Sequence, residues 1–178
     1  MTLRDLLILK IQSLYDVETL LVKALPKMAK KSSDPDLKAG LEKHLTETEG
    51  HVKRLEQIFV LLEEKPKKLK SEAIHGLVAD AEWMMQKVTN SEALDAAIIS
   101  AGQNVEHYEI ACYGSAAEWA KALDYGEIED SLRMTLEEEK NADETLNDAA
   151  ELRVNERALP DLSDMEMEEE EDGQWKAL

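Results

Sequence analysis

The chain has 178 residues, 43% of them hydrophobic and 34% charged, enough for one domain with a sizeable core. Its formal charge of −18 repels phosphate backbones and anionic bilayers, so nucleic acid and membrane surfaces are not expected partners. Few aromatics, seven glycines and four prolines favour helix over sheet. Nothing predicts a signal peptide or a membrane-spanning helix, and the single Cys112 cannot form an internal disulfide, so a cytoplasmic location is expected.

The first helix starts after Thr2, with Asp5 three residues on as its capping partner, and runs to about Lys31, with Pro26 inside it. In "SSDPDL", Asp34 is an N-cap and Pro35 stands at the first helical position; this second helix runs to about Glu64 and ends in "EEKPKKLK". A shorter amphipathic helix covers about Ser71 to Val88. "TNSE" then caps a long helix to about Leu123, "DYGE" makes a turn, and a fourth long helix covers about Glu127 to Asn155. Short links make hairpins of the first and last pairs, while the middle connection is long and holds its own helix. That is the topology of an all-α, ferritin-like four-helix bundle with a helix-containing crossover between its second and third long helices. The expected domain is 1–155. Residues 156–178 carry nine acids against two bases and are expected to form an acidic, flexible tail.

Following each apolar stripe at steps of three and four locates the residues that do not belong there. The first helix reads Leu7, Ile11, Leu14, Glu18, Leu21, Leu25. The third long helix reads Ile98, Ala101, Val105, Glu109, Cys112, Ala116, and the fourth reads Leu132, Leu136, Glu139, Asp143, Leu146. The second helix gives Leu41, His44, then Glu47 or Thr48, then His51, Leu55. The interruptions all fall near helix midpoints, which antiparallel packing brings to one level. Glu18, Glu47, Glu109, Glu139 and Asp143, with His51, are therefore expected to converge inside the bundle. Five carboxylates cannot ionise together in a low-dielectric core, so they either share protons or face a pair of divalent cations. Oxygen-rich sites with one or two imidazoles suit iron or manganese.

Each position has a plainer reading. Glu18 could snorkel from the stripe margin. Glu106 competes with Glu109, which is favoured, and Glu137 and Glu138 compete with Glu139. His44 is read as orienting a neighbouring carboxylate rather than as a ligand, and Cys112 as a small core residue. No catalytic residue is read from the sequence.

"HLTETEGHVKRLEQIF", "VEHYEIACYG", "TLEEEKNADETL" and "LYDVETLLVKALPKMA" resemble the signature segments of the YciE/YciF-type ferritin-like stress-protein family, over about residues 1–155. The resemblance implies a homodimer with a di-metal site holding two Fe ions, and a link to bacterial stress responses. It implies Glu18, Glu47, Glu109 or Glu106, Glu139 and Asp143 as ligands. His51 stands where the family often has Gln, and the pairs Glu47/His51 and Glu139/Asp143 are spaced i, i+4 rather than i, i+3. The expected chemistry is Fe²⁺ binding, with O₂ or peroxide as a co-reactant. The rivals are a non-catalytic structural or interaction bundle and a non-redox Mg or Mn carrier.

Overall fold

Three side-chain caps set the helix starts. Thr2 accepts from the Asp5 amide at 3.2 Å while the Asp5 carboxylate accepts from the Thr2 amide at 2.7 Å, closing the expected capping box. Asp34 accepts from the Asp36 and Leu37 amides, with Pro35 behind it, and Asn90 accepts from the Ala93 amide. In a computed structural model that describes residues 1–160, the helices are α1 (Leu3–Lys31), α2 (Pro35–Leu61), α3 (Glu72–Lys87), α4 (Ser91–Ala122) and α5 (Gly126–Ala149). A π-helical turn (Ala150–Val154) and a last turn, α6 (Asn155–Arg157), follow. There is no strand among the described residues, and no helix among them is long and apolar enough to cross a membrane. Helix α1 continues through Pro26. Helix α2 stops at Leu61, before the expected Glu64, where Glu63 takes a left-handed φ of 57° that cannot continue a helix; Asp124 does the same after α4.

Helix α1 packs along α2, α4 along α5, α1 against α4, and α2 against α5. Arg4 at the start of α1 donates to the Leu62 carbonyl at the end of α2, Lys10 lies 3.7 Å from Cys112 late in α4, and Arg54 late in α2 meets Thr135 early in α5. Each of these four pairs is therefore antiparallel. Helices α2 and α4 then run in the same direction, so the connection between them has to travel the length of the molecule. Helix α3 does so, lying against α4 and α1. The Asp16 carboxylate pins its start, accepting from the Ser71 amide at 3.1 Å and facing His75 Nε2 at 3.1 Å.

The apolar core comes in two blocks. One joins Val17, Leu21, Leu25 and Met28 with Leu37, Leu41, Ile98, Val105 and Leu146; the other joins Leu7, Ile11 and Leu14 with Leu55, Phe59, Tyr113, Ala116 and Leu132. Each fully buried Leu, Ile or Phe contributes about 1.5–3 kcal/mol. Between the blocks lies a polar layer at the level of Glu18 and His51. The chain past residue 155 does not leave the packed helices at once: Arg157 in α6 pairs with Asp34 at the start of α2. The rest of the expected acidic tail lies outside the described residues.

Candidate metal centre

The layer is built one helix at a time. Glu18 enters from α1, His44 and His51 from α2, Glu106 and Glu109 from α4, and Glu139 from α5, all buried. Ligand-capable atoms of Glu18, His51 and Glu139 lie within 4.8 Å of one another, and so do those of His44, Glu106 and Glu139. Glu139 is common to both groups. His51 Nδ1 is 3.0 Å from one Glu139 oxygen and 3.5 Å from Glu18 Oε2. His44 Nε2 is 3.3 Å from Glu106 Oε1 and 3.6 Å from the other Glu139 oxygen.

These groups approach one another without satisfying one another. Ten buried side-chain nitrogen or oxygen atoms among the described residues have no hydrogen-bond partner. Nine of them belong to this layer: one each from Glu18, His44, His51, Glu106 and Asp143, and both oxygens of Glu109 and Glu139. An unpaired buried polar group costs about 1–3 kcal/mol, and natural cores hold few. Their concentration at one level is what a cation would resolve.

Burial pushes the Glu109 carboxyl well above the usual carboxylate range, and the neighbouring Glu139, Glu18 and Glu106 add to it. Burial likewise raises Glu106 to about 8, against the pull of His44, and raises Glu139, against the pull of His51. Burial disfavours the charged His51 ring, but the carboxylates of Glu139 and Glu18 outweigh it and bring the ring to about 10. The same opposition raises His44, with Glu47 and Glu106 outweighing its burial. All of these shifts run toward holding protons within the buried layer.

Two contacts fix the orientation of the inner groups. The Tyr113 hydroxyl donates to Glu18 Oε1, so this residue of the core block also touches the centre. His51 Nε2 faces Glu138 at 2.9 Å, and Glu138 accepts from Arg54 at 2.8 and 3.3 Å. That pairing turns Nδ1 toward Glu18 and Glu139, the arrangement in which a carboxylate behind a histidine sets its tautomer and direction.

The sequence-predicted residues do not all sit alike. Glu18, His51, Glu109 and Glu139 are fully buried, and Glu106 enters beside Glu109 rather than instead of it. Glu47 lies at the rim, 28% exposed, bound by Lys43 at 3.0 Å; the contact from His44, with Lys43 added, holds it down at about 2 against the effect of burial. Thr48 takes the inward position between the histidines and donates to the His44 carbonyl. Asp143 lies at the margin, 24% exposed and 3.2 Å from His107, with its other oxygen turned inward and unpaired. Glu137 faces solvent with Lys140. Sequence reasoning placed His44 as a support and named Glu138 only as a competitor for the Glu139 position, not as the partner of His51. The seven-residue spacing of His44 and His51 was the available signal for the first. Nothing marked Glu138 within its run of three glutamates.

Fold and layer together define an all-helical protein with a buried carboxylate–imidazole centre shared by four helices. Residues 2–159 match the domain of unknown function DUF892, and the chain belongs to that family. It is 38% identical to protein YciF of Escherichia coli K12 over 158 residues, covering 88% of this chain and 95% of that one. The crystal structure of the E. coli stress protein YciF superposes with a TM-score of 0.83 at 38% identity, covering 86% and 98% of the two chains. YcfI of Rhodopseudomonas palustris, for which a structural role has been suggested, superposes with a TM-score of 0.81 at 40% identity, over 83% and 94%. A Xanthomonas campestris protein at 20% identity shares the fold, with a TM-score of 0.67 over 94% and 99%.

Proposed function

We propose that this chain is a ferritin-like four-helix-bundle protein that holds a di-metal centre, two iron ions in the first instance, in its polar layer. The observation that carries the reading is the concentration of partnerless buried oxygens and nitrogens around Glu139, which belongs to both candidate ligand groups. Glu18 and His51 would hold one ion, His44 and Glu106 the other, and Glu139 would serve both. Glu109, with both oxygens free, completes the donor set. Four carboxylates and two imidazoles suit iron or manganese better than zinc, and Mg is the non-redox alternative. Glu47 and Asp143 would close the rim.

A bound pair of iron ions would supply redox chemistry toward O₂ or peroxide. The protein's own residues supply the rest. The apolar block of Leu7, Leu14, Phe59 and Leu132 covers one side of the layer, Glu138 and Tyr113 hold His51 and Glu18 in place, and Glu106, Glu109 and Glu139 would release protons as metal enters. Protection under bacterial stress follows from the kinship with YciF, and a cytoplasmic homodimer is the expected state. Exposed apolar side chains on the neighbouring helices α2 and α5, Val60, Leu61 and Met134, support the dimer.

Anaerobic titration of Fe²⁺ followed by metal analysis tests the reading. About two Fe per chain are expected, and Glu139→Gln should lose both because it serves both groups. A folded protein that takes up no stoichiometric metal overturns it and favours a purely structural bundle. Light scattering checks the dimer.

A further inference from the structure

On one side of the polar layer the apolar packing is incomplete. A cavity of about 370 Å³ lies within the block formed by the C-terminal half of α1, the start of α2, and the facing parts of α4 and α5, with α3 at its edge. Leu25, Leu41, Val105 and Leu146 line it, and its inner end is formed by His44 and Glu106. Its mouth opens to solvent at the exposed Lys27, Lys43, Glu82 and Leu152. A mostly apolar cavity of this size with a few polar groups at one end has the dimensions of a small-molecule site.

Two further features point to the kind of occupant. Gly40, in the second turn of α2, faces the cavity, and a Cβ built there meets only a Thr145 methyl, at 3.9 Å. Glycine costs a helix interior about 1 kcal/mol relative to alanine, yet this position leaves the space open. The cations on the lining are each already matched with carboxylates: Lys27 with Glu82 at 2.7 Å, Lys43 with Glu47 at 3.0 Å, and Arg153 with Asp34 and Asp36 at 3.7 and 3.6 Å. Among the described residues, Arg153 Nε is the one buried cationic N–H of the lining without a partner, and an anionic head group reaching it would face the carboxylates of Asp36, Glu47, Glu82 and Glu106 on the same lining and the field of a chain carrying −18.

We propose that this cavity binds a neutral aliphatic molecule, its chain along Leu25, Leu41, Val105 and Leu146 and its polar end toward His44 and Glu106. The site stands on the cavity alone and does not need the metal. Calorimetric titration of 1-decanol into the metal-free full-length protein tests it, with decanoate as the charged counterpart. Saturable one-to-one binding of decanol is expected, with decanoate at least tenfold weaker. Gly40→Leu fills the space and should weaken decanol at least tenfold while the melting temperature holds or rises. Gly76→Leu, the same change on the open face of α3, should leave binding unchanged. Absence of saturable decanol binding to the folded protein, equal binding of decanoate, or undiminished binding in folded Gly40→Leu each overturns the proposal. Glu139→Gln is expected to keep decanol binding while losing iron, so the failure of either reading leaves the other standing.

Discussion

Two buried carboxylate regions on α4 invite comparison. Asp95, with no exposed surface, accepts from the Ser32 and Ser33 hydroxyls and from the Ser33 and Asp34 amides, at 2.5 to 2.9 Å. It staples the turn between α1 and α2 to α4. Glu109, four turns further on and equally buried, has no hydrogen bond at either oxygen. Burial alone therefore says little about a carboxylate. Asp95 is satisfied by its own chain, and its charge is delocalised over four donors. Glu109 is aimed at other acids and is satisfied by nothing in the protein, which is a poor way to build a core and a sound way to build a cation site.

The comparison breaks most visibly when each acid is removed. Asp95→Ala strips four donors of their partner and should cost about 3 kcal/mol in the metal-free protein. For a chain of this size that is a fall of roughly 6–12 °C in melting temperature. Glu109→Met should move the other way. Replacing an unsatisfied carboxyl with an apolar side chain of similar size recovers about 1–3 kcal/mol in the metal-free protein and lowers its iron content. Urea melts of both variants read the two signs. A Glu109→Met protein less stable than the metal-free parent would show that this acid is held by partners after all.

How far the sequence revealed this contrast depends on what each residue stands among. Glu18, Glu109 and Glu139 were legible because each interrupts an apolar stripe, and a stripe is a statement about which side faces inward. At about 100° per residue, Glu47 lies roughly 60° off the His44 direction and Thr48 roughly 40°, so a choice between them by spacing alone was close. The packing of α2 against α5 turns Thr48 inward and leaves Glu47 on the rim. The same arithmetic puts Glu106 and Glu109 about 60° apart, and the layer is wide enough to bury both. Asp95 could not be found this way. It lies beside the stripe, and its partners are about sixty residues away in a turn whose position depends on the whole hairpin.

pH separates the two regions by the sign of their response. Glu106 holds its proton up to about 8 in the fold, against an ordinary 4.5, and His51 holds its own up to about 10, against 6.5. In both, the folded state binds more protons than the unfolded one above the ordinary value, so the stability they contribute falls as pH rises through those windows. At the turn, burial would raise Asp34, but the Leu37 amide and the Arg157 and Arg153 charges outweigh it and hold the acid low. Its contribution is present above the ordinary carboxylate value and is lost only in acid. The urea midpoint of the metal-free protein should therefore decline from about pH 5 to about pH 9, and added Mn²⁺ or anaerobic Fe²⁺ should flatten the decline, since metal favours the deprotonated ligands. A metal-free midpoint that rises over that range would refute the protonated layer.

The smallest effect is expected at the residue that links the buried centre to the surface. Glu138 is 31% exposed, faces His51 Nε2 and is held by Arg54, so it belongs to the centre by contact and to the surface by solvation. Water can take its place beside Arg54, which limits the stability change in Glu138→Ala to about 1 kcal/mol or less. The histidine loses the group that turns its other nitrogen inward, and losing such a partner typically weakens metal affinity 10–100-fold. Glu138→Gln still accepts a hydrogen bond from Nε2 and should restore most of that loss. If Glu138→Ala instead destabilised the metal-free fold as much as Asp95→Ala and left metal affinity untouched, Glu138 would belong with the staple and not with the centre.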